Sequence, residues 1–196
     1  MVINMRTVAV AEDEPITRMD ICSMLEELGF AIAGEASDGF DAIELCRRTK
    51  PDIALLDVKM PVFDGLTAAE TICRENLAAC VVMLTAFSDE DIVARAAEAG
   101  VTGYLVKPVD RSKLLPTIEV AYAQALRLRE SREQAEKAQR QIAEDREIHK
   151  AQKLFAQKYR CSDTEAYEKM RKMAMNKRVP LSAIARAVLE QEKGTK

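Results

Sequence analysis

Five short runs of β-branched and apolar residues alternate with helical segments along the first part of the chain, and this alternation constrains the fold most. The runs are TVAVA (7–11), AIAGEA (31–36), IALLD (53–57), VVMLT (81–85) and GYLV (103–106). Strands that alternate with helices favour a parallel sheet with helices on both faces. The sequence therefore predicts one doubly wound α/β domain over residues 1–125.

The segments between these runs have the apolar spacing of amphipathic helices. In the first, near 15–28, the apolar positions are Ile16, Met19, Ile21 or Cys22, and Leu25, at intervals of three or four residues. Similar patterns predict helices near 38–48, 66–74 and 89–99. Five strand-helix units of this kind are typical of a flavodoxin-like doubly wound sheet.

Polar residues occupy the ends of the predicted strands. Ligands of doubly wound sheets bind outside the carboxyl ends of the strands, so we expect these side chains to surround one crevice. Isolated carboxylates at strand ends are usually solvated. A set of five polar positions at one sheet edge instead predicts a site, formed by Glu12, Asp13, Asp57, Thr85 and Lys107.

The types of these side chains indicate the chemistry. Three neighbouring carboxylates repel one another, and a hard divalent cation with oxygen ligands, most naturally Mg²⁺, relieves the repulsion. Lys107 supplies a compact positive charge and Thr85 a hydroxyl donor. The set suits phosphoryl transfer onto a carboxylate, with Asp57 as the nucleophile. A tight Lys107–Pro108 bond, in the cis or trans form, would aim the lysine inward.

The segments AEDEP, LLDVKMPVFDG, MLTA and GYLVKP occur in this order. Through them, residues 5–125 resemble the receiver domain of two-component response regulators. The resemblance implies that Asp57 accepts phosphate from a sensor histidine kinase and that Thr85 and Tyr104 form a switch pair. It implies a phosphoacceptor switch with slow autodephosphorylation, not an enzyme. It also implies a Mg²⁺ site formed by Glu12, Asp13, Asp57 and the backbone carbonyl of Lys59; Glu12 replaces the commoner aspartate.

Charge is distributed unevenly along the chain, although the net charge is only −3. Residues 1–126 carry 11 basic and 21 acidic side chains, residues 127–149 carry six of each, and residues 150–196 carry 12 basic and five acidic. We therefore expect three regions with different roles: an acidic domain (1–125), a connector (126–149) and a basic tail domain (150–196).

A single long helix is predicted from 110 to 149, because this stretch has no glycine and its one proline, Pro116, lies near the start. Ala121, Leu128, Ala135 and Ile142 recur every seven residues, which indicates a thin coiled-coil seam. A monomeric, solvent-exposed helix is the alternative. With the seam, we expect a homodimer that forms on phosphorylation.

The basic tail has three short helical patterns, at about 150–158, 164–176 and 181–190. Ser162 and Glu165 form a capping box before the second, and Pro180 suits the start of the third. One apolar stripe, which a small all-α three-helix domain would bury, consists of Leu181, Ile184, Ala185 and Val188.

A basic domain joined to an acidic switch indicates a nucleic-acid partner. The segment AQKLFAQKYRCSDTEAYEKMRKMAMNKRVPLSAIARAVL resembles the ANTAR domain, an RNA-binding output module of bacterial antiterminators. More loosely, the whole chain is similar to ethanolamine-utilisation regulators. Gln152–Lys153 stands where the family often has Lys-Gly. The candidate RNA contacts are Lys150, Lys153, Arg171, Lys172, Lys177 and Arg178.

These features predict a phosphorylation-activated transcription antiterminator that binds RNA hairpin loops in nascent transcripts. The alternatives are a DNA-binding response regulator and a receiver with a protein-docking tail. Five scattered cysteines without paired spacing do not indicate zinc or a disulfide framework. No window reaches the roughly 18 apolar residues of a membrane span, and no signal segment is evident, so we expect a cytoplasmic protein without membrane partners.

Overall fold

A computed structural model describes residues 5–86 and 90–193 of the chain. The chain divides into two compact units, Met1–Arg129 and Glu130–Lys196. Each unit has a hydrophobic core of its own. None of the helices in the described part of the chain has both the length and the apolar character of a membrane span.

The first unit contains a five-stranded parallel sheet in the order β2-β1-β3-β4-β5. This topology confirms the predicted doubly wound α/β fold. The first strand lies inside the sheet, so the carboxyl ends of β1 and β3 are neighbours. The strands are β1 (Thr7–Ala11), β2 (Ala31–Ala36), β3 (Ile53–Asp57), β4 (Cys80–Thr85) and β5 (Gly103–Val106).

Helices cover both faces of this sheet, and two apolar clusters fill the space between helices and strands. Every residue of β3 is buried, as expected for a central parallel strand. Asp38 and Asp64 begin two of the helices by accepting hydrogen bonds from backbone N–H groups three residues later. The helices are α1 (Pro15–Glu27), α2 (Gly39–Thr49), α3 (Gly65–Arg74), α4 (Glu90–Glu98) and α5 (Arg111–Tyr159).

The apolar stripe predicted for α1 is wrong in its first half. Ile16 and Met19 are 67% and 63% exposed, whereas Ile21, Cys22 and Leu25 are buried. Only residues 12–14 separate β1 from α1, so the first turn of α1 lies close to the carboxyl end of β1. It therefore packs less against the strands than the later turns do.

The fifth helix continues past the predicted boundary near 149 and ends at Tyr159. Nothing in the sequence stops it earlier, because no glycine or proline follows Pro116 until the helix ends. Arg160, with a left-handed φ of 50°, terminates it. The first of the three predicted tail helices is therefore the last part of α5.

The second unit packs the end of α5 against α6 (Asp163–Lys177) and α7 (Leu181–Lys193). The predicted capping box is confirmed: Ser162 accepts from the Glu165 N–H, and the Glu165 carboxylate accepts from the Ser162 N–H. In the stripe of α7, Ile184 and Ala185 are buried and Leu181 and Val188 are partly buried. The three-helix prediction is thus confirmed, with α5 supplying the first helix.

Candidate functional site

Three carboxylates meet at the carboxyl edge of the sheet. Glu12 and Asp13 follow β1, and Asp57 ends β3, so the neighbouring strands bring them together. One oxygen from each carboxylate lies within 4.8 Å of the others. Glu12 and Asp57 are only 1% and 6% exposed, whereas Asp13 faces solvent. The acidic cluster of Glu12, Asp13 and Asp57 therefore has one open side.

Lys107, just after β5, pairs with two members of the acidic cluster. Its Nζ lies 2.5 Å from Glu12 Oε2 and 2.8 Å from Asp57 Oδ2. The Lys107 N–H donates to the Thr85 carbonyl at 2.7 Å, which ties the lysine backbone to the end of β4. The Lys107–Pro108 peptide is cis, one of the two forms that the sequence allowed.

Burial and charge act on the ionisation of this cluster in opposite directions. Burial, and after it the Asp57 charge, raise the pKa of Glu12 above its usual value, although Lys107 opposes the shift. Burial alone would lower the pKa of Lys107, but hydrogen bonds and charge from Asp57 and Glu12 outweigh it and raise that pKa. Lys107 is thus cationic at neutral pH. One lysine cannot neutralise three carboxylates, so the cluster favours a further cation.

Backbone contacts hold the acidic cluster in place. The Glu12 N–H donates to the Ala36 carbonyl at 3.1 Å, and Arg18 Nη1 donates to the Glu12 carbonyl at 2.5 Å. Arg18 Nε also pairs with Glu35 Oε2 at 3.0 Å. Arg18 was not among the predicted site residues, because its contacts are with a backbone oxygen and with a side chain of the neighbouring strand β2.

Gly65 allows α3 to begin close to Asp57. A Cβ atom at Gly65 would lie 1.7 Å from the Asp57 carbonyl oxygen, so no other residue fits without moving the backbone. The Gly65 N–H donates to the Val58 carbonyl at 2.9 Å. The aspartate-glycine pair after β3 therefore has a structural role: Asp64 caps α3, and Gly65 provides the close approach.

A cavity of about 520 Å³ opens beside the acidic cluster. Asp13 and Lys59 line it from the cluster side, and Arg95 lines it from α4. Arg95 was not predicted either, since a single arginine on an amphipathic helix resembles any solvated surface charge.

Thr85 and Tyr104 line a second cavity, of about 500 Å³, to which Val58 and α4 also contribute. Thr85 is buried at the end of β4, whereas the Tyr104 side chain is 52% exposed. The two predicted switch residues therefore border one space, with the tyrosine ring partly outside it.

In the second unit, all six predicted basic contacts are exposed. Lys150 and Lys153 lie on α5, and the rest lie on α6 or at its end: Arg171, Lys172, Lys177 and Arg178.

The aromatic and methionine side chains near these basic residues are divided between core and surface. Phe155 and Met170 are buried, as expected for packing residues, whereas Met175 is 69% exposed. Tyr167 is also exposed and precedes Arg171 by one helical turn. Tyr159 and Met173 are exposed as well, although the Tyr159 ring contacts Phe155 with 4.4 Å between the ring centroids. In α6, Ala166, Met170 and Ala174 face the core, and the opposite face of the helix is exposed to solvent.

Comparisons with known proteins match a family model to each of the two units. Residues 8–119 match the response regulator receiver domain. Residues 136–189 match the ANTAR domain. The transcriptional regulatory protein PdtaR of Mycobacterium tuberculosis H37Rv is 38% identical over 185 residues, covering 94% of this chain and 90% of that protein. The chain belongs to the response regulator family.

Other relatives match a smaller share of this response regulator than PdtaR does. Protein CcdB of Bacillus subtilis is 37% identical over 114 residues, covering 58% of this chain and 95% of that protein. The receiver domain of a modulated diguanylate cyclase from Desulfovibrio desulfuricans overlays with a TM-score of 0.57 at 27% identity, covering 62% of this chain and 97% of that one. The CheX-CheY-BeF3-Mg²⁺ complex of Borrelia burgdorferi gives a TM-score of 0.54 at 29% identity, covering 58% and 86%.

Proposed function

We propose that this response regulator is phosphorylated on Asp57 by a sensor histidine kinase and controls transcription by antitermination. The observation that carries the first part is the contact of Lys107 with both Asp57 and Glu12. An Asp57 oxygen would form a bond to phosphorus while the bond to the histidine nitrogen breaks, its electron pair staying on the nitrogen. Lys107 is placed to neutralise charge on the phosphoryl oxygens.

The acidic cluster fits a Mg²⁺ ion. Its three carboxylates supply hard oxygen ligands with an excess of negative charge, and Asp13 leaves the cluster open to solvent. Glu12, Asp13, Asp57 and the Lys59 carbonyl would hold the ion. When bound, Mg²⁺ would neutralise phosphoryl oxygens during the transfer. The Borrelia relative was solved as a complex with Mg²⁺ and BeF3.

Thr85 and Tyr104 are proposed to transmit the phosphorylation state. The Thr85 hydroxyl would hydrogen-bond a phosphoryl oxygen on Asp57, which removes it from the cavity that it shares with Tyr104. The exposed tyrosine ring could then occupy that space, because the cavity volume of about 500 Å³ exceeds that of an aromatic side chain. Two tyrosine positions would provide a two-state switch on the β5 surface.

The output is proposed to be binding of RNA hairpin loops in nascent transcripts. The ANTAR match, the exposed basic residues and the Tyr167–Arg171 pair support it. Unpaired bases stack on aromatic rings and guanidinium planes, whereas phosphates attract the lysines. Homodimer formation on phosphorylation would bring two such domains together; the cytoplasmic location stays a prediction.

The test compares binding of one hairpin RNA, its linear scrambled counterpart and a duplex DNA at matched salt. The full chain is used with and without phosphorylation. We expect the phosphorylated protein to prefer the hairpin over both other ligands. Equal binding of the three ligands would overturn loop recognition, and a preference for the duplex would identify a DNA-binding regulator instead.

A further inference from the structure

The cavity beside the acidic cluster extends from Asp13 to the basic side chain of Arg95. Its volume of about 520 Å³ lies within the range of small-molecule pockets. Two cationic residues line it, Lys59 from the loop after β3 and Arg95 from α4. Short apolar surface completes the wall, contributed by Val58, Met60, Pro61 and Leu66.

The charged residues of this cavity differ in the structural arrangements to which their side chains already belong. Asp13 belongs to the acidic cluster, and the Asp64 carboxylate caps α3 by accepting the Thr67 N–H at 2.7 Å. Lys59 adjoins the proposed metal site through its own backbone carbonyl. Arg95 belongs to none of these arrangements, although it lines the same space. Its position pairs a guanidinium with a short apolar wall, which suits a small carboxylate.

We infer that Arg95 recognises the leaving group when a short-chain acyl phosphate phosphorylates the protein directly. The inference rests on the proposed phosphorylation of Asp57. An Asp57 oxygen forms a bond to phosphorus, and the bond from phosphorus to the acyl oxygen breaks. The electron pair of that bond stays on the departing carboxylate, so no proton or redox partner is needed.

Negative charge grows on the acyl oxygens as this bond breaks. A cation already held near them lowers the energy of the transition state more than that of the bound donor. The cavity adjoins Asp57 on this side, through Val58 next in the chain and through Asp13 within the 4.8 Å cluster. The donor's phosphoryl end would thus meet the acidic cluster, and its acyl end would face Arg95.

The experiment compares two phosphodonors on the full chain. Acetyl phosphate releases a carboxylate anion, whereas phosphoramidate releases uncharged ammonia. We expect Arg95→Gln to lower the initial phosphorylation rate with acetyl phosphate about three- to fivefold at low salt, the range of a partly exposed ion pair. The rate with phosphoramidate should stay unchanged. Arg95→Lys should retain most of the acetyl phosphate rate, because the charge is kept.

Arg48→Gln is the matched control, since it removes the same charge from an exposed site on α2 outside the cavity. Raising the salt concentration should shrink the effect of Arg95→Gln on acetyl phosphate. Equal losses with both donors, or no loss with either, would overturn the role of Arg95 in leaving-group recognition. Labelling that persists at the wild-type level in Asp57→Asn with both donors would instead overturn phosphorylation of Asp57 itself.

Discussion

Lys107 Nζ lies 2.8 Å from Asp57 Oδ2, although Asp57 ends β3 and Lys107 follows β5. The pair forms because β3 and β5 both end at the carboxyl edge, where the Lys107 N–H also bonds to the end of β4. Glu12 shares the same ammonium group. A nucleophile beside a fixed cation is the arrangement from which the functional predictions start.

Asp57→Asn should abolish acid-labile phosphorylation by kinase or by acetyl phosphate. The amide keeps the shape of the side chain but is a poor nucleophile and a poor metal ligand. Intact-mass measurement checks the modification, and circular dichroism checks that the fold is retained. Asp64→Asn is the control, because asparagine also caps helices well and Asp64 lines the same cavity. Labelling of the Asp57 variant at the wild-type level would place the acceptor elsewhere.

Without Mg²⁺, Glu12→Gln should raise the free energy of unfolding at pH 7 by about 1 kcal/mol, because it removes a charge from a crowded acidic site. Since the pKa of Glu12 is raised, the folded protein binds its proton more tightly than the unfolded chain does. The charged Glu12 carboxylate therefore destabilises the wild type at pH 7. This loss of stability, and with it the difference from Glu12→Gln, should shrink as the pH falls through the raised pKa toward the usual 4.5. Urea denaturation in EDTA at several pH values measures this difference.

With Mg²⁺ bound, the wild type should become more stable than Glu12→Gln, which reverses the order expected without the ion. The wild type should gain more stability from the ion, and Glu12→Gln with Asp13→Asn should need a higher Mg²⁺ concentration, because two anionic ligands are lost. Glu26→Gln, an exposed change on α1, serves as the control. An unchanged Mg²⁺ dependence in the double variant would contradict the metal assignment.

How much of this site could be predicted depends on which contacts are encoded locally. Strand-end positions place Glu12, Asp57 and Lys107 together as soon as the parallel order is known, so the sequence identified them. Arg18 and Arg95 reach the site from helices, and nothing in their spacing distinguishes them from surface charges. Their positions beside the site are seen only in the three-dimensional structure.

The errors in the predicted fold have equally specific causes. The apolar spacing of Ile16 and Met19 indicated burial. The start of α1, however, lies near the carboxyl end of β1, and both side chains are exposed there. The charge change near 149 suggested a boundary, yet helix propensity, not charge, decides where α5 ends. Ala121 matched the heptad but is 2% exposed in the core of the first unit. The seam is therefore limited to Leu128, Ala135 and Ile142.

Val62 adopts a φ of 66° in the loop between β3 and α3, a conformation that β-branched residues rarely accept. Val62→Gly should therefore be more stable than Val62→Ala by about 1 kcal/mol, because only glycine removes the Cβ strain. Val62 is 77% exposed, so lost packing should contribute little to either change. Urea midpoints of the two variants measure the difference; equal midpoints would contradict the strain.

Arg171→Ala and Lys172→Ala should weaken hairpin RNA binding without unfolding the second unit. For each lost phosphate contact, the slope of log affinity against log salt should flatten by about one unit. Lys137→Ala, an exposed change in the middle of α5, is the control. Fluorescence anisotropy at several salt concentrations measures both affinity and slope. Wild-type affinity in both variants would contradict RNA contacts at Arg171 and Lys172 and would favour a binding surface near Lys150 and Lys153.

Phosphorylation should promote dimerisation through the reduced seam on α5. Leu128 and Ile142 are 46% and 53% exposed, but the residue between them in the heptad is only an alanine, Ala135. A coiled coil with so few large apolar residues should be marginal alone and easily biased by a change in the receiver domain. Two joined RNA-binding units would then gain roughly a hundredfold in avidity without any new contact.

Ile142→Asp tests this mechanism against Ala143→Asp, which adds the same charge one residue away from the seam. The first should prevent the phosphorylated dimer while sparing phosphorylation of Asp57, because a buried unpaired carboxylate opposes association. The second should leave the dimer intact, because its side chain faces away from the seam. Sedimentation velocity with and without phosphorylation measures both. A wild type that is equally dimeric in the two states would refute phosphorylation-driven assembly and favour release of an inhibitory contact instead.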